Sequence, residues 1–303
     1  MPKICYVEKR FNRSSKILIE HANKILAEYA QRGLVVTLRQ LYYQFVSRDI
    51  IPNNQKEYKR LGSVVNDARL AGLIDWDYMQ DRTRNLARLA SWDSPDGIIR
   101  SAARSYHRNL WEGQKNYVEV WIEKDALVGV IEQVCERYDV PFFSCRGYTS
   151  QSEMWAAARR FQTYERQGRK THVIHLGDHD PSGKDMSRDI TERMNSTFGS
   201  TVSLNRIALN MDQVKQYNPP PNPAKITDSR AEGYIAEFGE ESWELDALDP
   251  DVLERLIESS IGRLLNRKLF DKVVERQELE REVLTKASAR WPEVAAFIEN
   301  LEE

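Results

Sequence analysis

Four short apolar runs, at 117–122, 141–145, 172–176 and 202–209, alternate with stretches of helical periodicity at about 126–137, 152–167 and 183–195. Strand and helix in alternation imply an α/β domain with a parallel sheet, the helices serving as crossovers. Two of the runs end in acids. Tyr117–Ile122 leads directly into Glu123, and His172–Leu176 into Gly177-Asp178-His179-Asp180-Pro181-Ser182-Gly183. Ligands of a parallel sheet gather beyond the carboxyl ends of its strands, so Glu123, Asp178 and Asp180 are expected on one edge. Crowded carboxylates are cheap only with a cation between them, and an all-oxygen set suits Mg²⁺, with Mn²⁺ able to substitute. A helix cap with an acidic surface turn accounts for part of the same segment. Ser182 with Asp185 reads as a capping box, which makes Asp185 a cap and not a ligand.

The first part of the chain is patterned differently. Ser14 or Ser15 can cap a helix to about Arg32, with Leu18, Ala22, Ile25, Leu26 and Tyr29 on one stripe. Thr37 caps a second helix to about Arg48, and a third covers about Gln55–Leu73. Ile74–Met79 reads as a strand leading to a wing. Three helices and then a strand outline a winged helix-turn-helix, a module that reads DNA. Residues 1–110 carry 19 Lys and Arg against 11 Asp and Glu, a net +8, while 111–303 carry 25 against 35, a net −10. That asymmetry fits a DNA-gripping domain at 1–110 joined to a metal-binding domain at 111–303. Trp243–Leu248 reads as one more strand, and Asp249-Pro250 opens a helical tail with Leu253, Leu256, Ile257, Ile261 and Leu264 on one face.

In the second helix, Leu38, Leu41, Tyr42 and Phe45 share a stripe at about 100° per residue, and Tyr43 falls on the opposite side with Arg39 one turn before it. Tyr42 is the packing tyrosine and Tyr43 the available one. A phenol with its pKa near 10 is a poor nucleophile, and a neighbouring guanidinium favours its ionised form.

These motifs together resemble a known family. A strand ending in Glu followed by a strand ending in Asp-x-Asp resembles the Toprim fold. The Asp-Pro-Ser-Gly continuation resembles the A subunit of type IIB topoisomerases (topoisomerase VI) and its meiotic double-strand-break relatives. Arg39-Gln40-Leu41-Tyr42-Tyr43 is similar to that family's Arg-x-x-aromatic-Tyr segment, Cys145-Arg146-Gly147-Tyr148 to its Gly-Tyr turn, and Trp243–Leu248 to its late acidic strand. The likeness spans about residues 35–250 and departs at His179, where the family carries a less polar residue. It extends to miniature stand-alone members in bacteria and mobile elements. The resemblance implies an isomerase-class enzyme in which Tyr43 attacks DNA and stays joined to its 5′ end, helped by Arg39 and Glu123. It further implies Mg²⁺ on Glu123, Asp178 and Asp180, a homodimer that cuts both strands, and a separate ATPase subunit for any strand passage. Two alternatives stay open: a Toprim nuclease that uses a metal-activated water, and an inactive DNA-binding protein.

Further contacts to DNA are expected from Lys56, Lys59 and Arg60 on the third helix, Arg82 and Arg84 in the wing, and Arg146 after the second strand; a solvated basic face or local salt bridges would explain the same residues. Lys124 also flanks the acidic edge, and His172 and His175 read as core. No run approaches the ~18 apolar residues of a membrane span. The three cysteines, Cys5, Cys135 and Cys145, form no metal or disulfide spacing, which fits a reducing, cytoplasmic and nucleoid-associated protein.

Overall fold

The computed structural model describes residues 3–79, 91–224, 228 and 230–300. In chain order the helices and strands are α1 (Arg13–Gln31), α2 (Leu38–Ser47), α3 (Gln55–Leu70), α4 (Pro95–Ser105), β1 (Asn116–Ile122), α5 (Val128–Arg137), β2 (Phe142–Ser144), α6 (Gln151–Arg166), β3 (Lys170–Leu176), α7 (Pro181–Glu192), β4 (Ser203–Ala208), α8 (Met211–Tyr217), β5 (Asn222–Pro223), α9 (Ala231–Phe238), β6 (Glu241–Ser242), α10 (Pro250–Leu264), α11 (Arg267–Ala289) and α12 (Trp291–Glu299). They fall into two compact units. One takes the described parts of residues 1–84 and 116–263, and the other those of 85–115 and 264–303.

In the first unit, β1 to β4 form a parallel sheet of order β2-β1-β3-β4. Six of the seven β1 residues are buried, as a strand covered on both faces requires. Glu119 lies inside it at 1% exposure, made tolerable by full pairing. Its oxygens take Arg160 at 2.6 and 2.9 Å, the Tyr117 hydroxyl and the Trp121 indole N–H. From β1 the chain crosses first to β2 and then back to β3 on the other side. This reversal opens a crevice at the carboxyl ends of β1 and β3. Register pairs Ile122 with Leu176, which places Glu123 and Gly177 side by side.

The N-terminal helices begin where side chains can cap them. Asn12, not Ser14 or Ser15, caps α1 by accepting from Ser15 N at 2.8 Å. Thr37 and Gln40 form a reciprocal capping box on α2, and Asn54 caps α3. Leu18, Ile25, Leu26, Leu41, Phe45, Leu61 and Val65 make one core between these helices. After α3 the chain turns at Gly72, φ +71°, where an added Cβ would lie 2.7 Å from Cys5 N; only glycine fits.

The expected strand at Ile74–Met79 is not formed. Residues Trp76–Tyr78 make a 3₁₀ turn, and a single parallel bridge joins Val36 to Met79. Asp75 explains it: its side chain accepts from Asp77 N at 3.0 Å, a local bond that competes with extended pairing. Trp243–Leu248 is likewise not a strand. Trp243 bridges His179, then Leu245–Ala247 close a 3₁₀ turn, because Leu245 N turns inward to donate to Asp178. The α10 tail is as expected, burying Leu253, Ile257 and Ile261. In the second unit, α4 packs along α11, tied by Arg108 and Tyr106 to Glu280.

Candidate functional site

Glu123 and Asp178 meet in the crevice between β1 and β3. Asp178 N donates to Glu123 Oε2 at 2.8 Å, a contact made possible by Gly177, where a Cβ would stand 2.9 Å from that oxygen. Asp178 is buried and fully engaged. Its Oδ1 accepts from Leu245 N at 2.7 Å, and its Oδ2 lies 3.0 Å from Lys124 Nζ. Burial pushes the Asp178 carboxyl up to about 6 against the pull of Lys124. Glu123 is pushed up to about 7, first by burial and then by repulsion from Asp178 and Asp180. Behind the edge, the buried guanidinium of Arg206 from β4 donates to the carbonyls of Gly177, Asp178 and Gly183. It fixes the backbone of the acidic turn.

Asp180 has a second task that the sequence reading assigned to other residues. It is the N-cap of α7: its Oδ1 accepts from Gly183 N at 2.6 Å and from Ser182 Oγ at 3.0 Å. The expected Ser182–Asp185 capping box is absent. Asp185 instead binds Arg188, Arg230 and the Tyr148 hydroxyl. His179, between the two aspartates, is fully buried in an aromatic cage of Tyr234, Phe238 and Trp243. Its Nδ1 is 2.7 Å from the Tyr234 hydroxyl, and burial pushes it down to about 4. The neutral ring anchors the turn.

Among the described residues, no three His, Cys, Asp or Glu side chains close around one point. The expected Mg²⁺ set of Glu123, Asp178 and Asp180 is therefore not assembled in this conformation. The donors are carboxylate oxygens, and the Glu123 and Asp178 carboxyls hold their protons above the usual range, as crowded acids do; Lys124 already occupies the place of a cation against Asp178. Asp180 makes its cap contacts through Oδ1, and a carboxylate has a second oxygen with which to meet a cation.

Lys124 extends the cluster. Its ammonium lies 2.7 Å from Glu244 and 2.8 Å from Asp246, and both acids also pair with Arg39 of α2. Burial opposes the charge on Glu244, yet Lys124 and Arg39 hold its carboxyl down at about 2. Glu244 and Asp246 were visible in the sequence only as an acidic alternation, and Arg206 only as a lone arginine in a strand.

The structure corrects the reading of Tyr43. It is not exposed but 4% accessible, within the same core as Tyr42. The 245–247 turn packs on α2, and Ala247 joins that core. Burial, then the negative charges of Asp246 and Glu244, raise its hydroxyl pKa, and Arg39, 5.9 Å from the ring centre, offsets this only weakly. Arg39 does not activate Tyr43 here because its charge is taken by two carboxylates. Tyr43 does line an open cavity with Arg39 and Glu244.

Of the remaining residues, Lys56 and Lys59 are exposed on α3, while Arg60 pairs with Glu57 at 2.9 Å. Arg146 is exposed and 3.2 Å from Asp125. His175 is buried as expected and His172 half-buried. Arg82 and Arg84 lie outside the described residues. Among the described residues no helix is long and apolar enough to cross a membrane.

No protein-family model matches the chain, and no curated protein is significantly similar to it.

Proposed function

We propose that this protein cleaves DNA by tyrosine transesterification, in the manner of the A subunits of type IIB topoisomerases, with α1–α3 serving as a winged-helix reader and the sheet as a Toprim domain. The observation that carries the reading is the convergence of Glu123 and Asp178 at the switch point of the sheet, where Asp178 N donates to the Glu123 carboxylate. Buried, mutually repelling acids beyond the carboxyl ends of parallel strands mark a candidate site that a cation would relieve. In this reading the Tyr43 hydroxyl gives up its proton to solvent as its oxygen bonds to phosphorus, the P–O3′ bond breaks, and the released 3′ oxygen takes up a proton; resealing is the reverse.

Glu123, Asp178 and Asp180 would hold Mg²⁺, which when bound supplies charge to the scissile phosphate and the leaving oxygen. Lys124 and Arg206 keep the carboxylates in place. Arg39 favours the phenolate once it is drawn from Glu244 and Asp246 towards a phosphate. Exposed Lys56 and Lys59 rest on the DNA backbone, with Arg146 a further contact. In the family the chain resembles, the tyrosine of one protomer works with the acids of another; on that likeness the active form would be a homodimer on double-stranded DNA at the nucleoid, with a separate ATPase for any strand passage.

One observation favours a second reading. Tyr43 is buried with its hydroxyl held protonated, as suits a tyrosine that only lines the site of a Toprim nuclease using water. End-labelled duplex on a denaturing gel, with and without protease, decides. A protease-sensitive adduct supports the transesterase, free ends the hydrolase, and uncut DNA defeats both.

A further inference from the structure

The cavity beside Tyr43 has a volume of ≈ 420 Å³, inside the range of about 300–1,000 Å³ typical of small-ligand pockets. Its apolar wall is aromatic. The rings of Tyr42 and Tyr43 meet edge-to-face at 5.4 Å and those of Tyr42 and Tyr58 at 5.2 Å. The wall is also rigid. The Tyr42 hydroxyl donates to Asn53 Oδ1 at 3.0 Å and accepts from Asn54 N at 2.8 Å. Asn53 in turn donates to Asn222 Oδ1 at 2.7 Å and to the Pro221 carbonyl. The loop before α3 and strand β5 are thereby locked together across the cavity. Its rim carries groups that both donate and accept, among them the exposed Gln55 amide, and it has Arg39 and Glu244 at one side.

Tyr42 and Tyr43 are almost wholly covered and form the floor, so the half-buried ring of Tyr58 is the stacking surface, and with a rim of amides it matches a planar heterocycle with donors and acceptors on its edges. That is the chemistry of a nucleobase, recognised by stacking and by its Watson–Crick edge. We infer that this cavity receives one nucleobase of bound DNA, taken out of the stack next to the phosphate that Tyr43 attacks. The inference rests on the reading of the chain as a DNA-cleaving protein and adds a step to it: the base leaves the helix and occupies the cavity. An unstacked base there places its own backbone beside Tyr43 and Arg39, so base capture would bring a phosphate to the paired guanidinium.

The test is equilibrium binding of the full chain to short labelled duplexes without divalent ion. The duplexes are fully paired, carry one central mismatch, or carry abasic sites opposite one another at that position. Extrusion costs least where pairing is already lost, so the mismatched duplex should bind about tenfold tighter than the paired one. The double-abasic duplex, equally pliant but with no base to insert, should show no such gain. Tyr58→Ala should erase the mismatch preference. Gln55→Ala, at an exposed position that does not bear on folding, should reduce it and change the preference among mismatched bases.

Equal binding of paired and mismatched duplexes overturns the inference. So does a gain that persists with the double-abasic duplex or in both variants. The paired duplex cleaved covalently with no mismatch preference leaves the cleavage reading standing without the base pocket. Mismatch preference without any cleavage in Mg²⁺ supports the pocket and removes the transesterase.

Discussion

The carboxyl edge of β1 and β3 and the inward-covered side of α2 both border the same ion network, and burial with nearby acids shifts the titrating groups of both upwards, yet the shift leaves them in different states. At the edge, Glu123 and Asp178 sit near neutrality, at about 7 and about 6, so a modest change in nearby charge alters their protonation. On α2, Tyr43 is held firmly neutral by burial and by Asp246 and Glu244. The edge is poised, whereas the tyrosine is locked. An arriving cation can act on the first directly; the second needs Arg39 to be freed from its carboxylates.

The strongest way to break this contrast is Tyr43→Phe. It removes one hydroxyl, and its stability should change by no more than about 1 kcal/mol. Covalent adducts on DNA should fall below detection while DNA binding persists. Cleavage at the wild-type rate would assign the attack to water.

On the poised side, Asp178→Ala and Asp180→Ala should each reduce Mg²⁺-dependent cleavage by roughly a hundredfold or more, the scale on which a single transition-state-stabilising group acts. They should differ in stability. Asp178→Ala strands Leu245 N and one contact of Lys124, a loss of about 2 kcal/mol, while Asp180→Ala loses a helix cap, about 1 kcal/mol. Chemical denaturation measures both, and undiminished cleavage in either variant would remove that residue from the metal set.

Thermal unfolding tests the poise itself. The folded carboxyls bind protons more tightly than the unfolded ones, whose values are 4.5 for Glu123 and 3.8 for Asp178. Between about pH 4 and 7 the native state therefore holds more protons, and these two groups make the metal-free protein less stable as pH rises. A cation that binds the ionised native edge opposes this. Mg²⁺ at a hundredfold excess over its Kd contributes about 2.7 kcal/mol, so its Tm increment should be clearly larger at pH 7.5 than at pH 5. Equal increments at the two pH values would place the ion elsewhere.

The smallest effect concerns the lock. Glu244→Gln removes an anion near Tyr43 and frees part of Arg39, so adduct formation should reach its maximal rate at a pH lower by up to about one unit. An unchanged pH–rate profile would mean that Glu244 does not restrain the tyrosine.

Sheet and helices were legible because they announce themselves locally. The strands from 116 to 208 and helices α1–α3 follow apolar periodicity, and the acids after β1 and β3 reach one edge because register demands it. Tyr43 was misjudged for the converse reason. Its position off the Leu38–Leu41–Tyr42–Phe45 stripe is real, but residues 222–223 and 244–247, some two hundred positions later, cover that side of α2. Periodicity records the faces of one helix and carries no information about which distant segment will lie on the other side. Asp180 shows a subtler limit. The same aspartate satisfies the pattern of a metal ligand and of a helix cap, and only the bond from Gly183 N reveals the second role.

The ion network of Arg39, Lys124, Glu244 and Asp246 bears on how portable the N-terminal helices are. A protein engineer who exchanged α1–α3 for another reader, to retarget the protein, would leave a fully enclosed aspartate and its neighbour facing a foreign surface. The exchangeable cassette is therefore discontinuous, and residues 222–223 and 244–247 have to travel with the helices whose far side they cover.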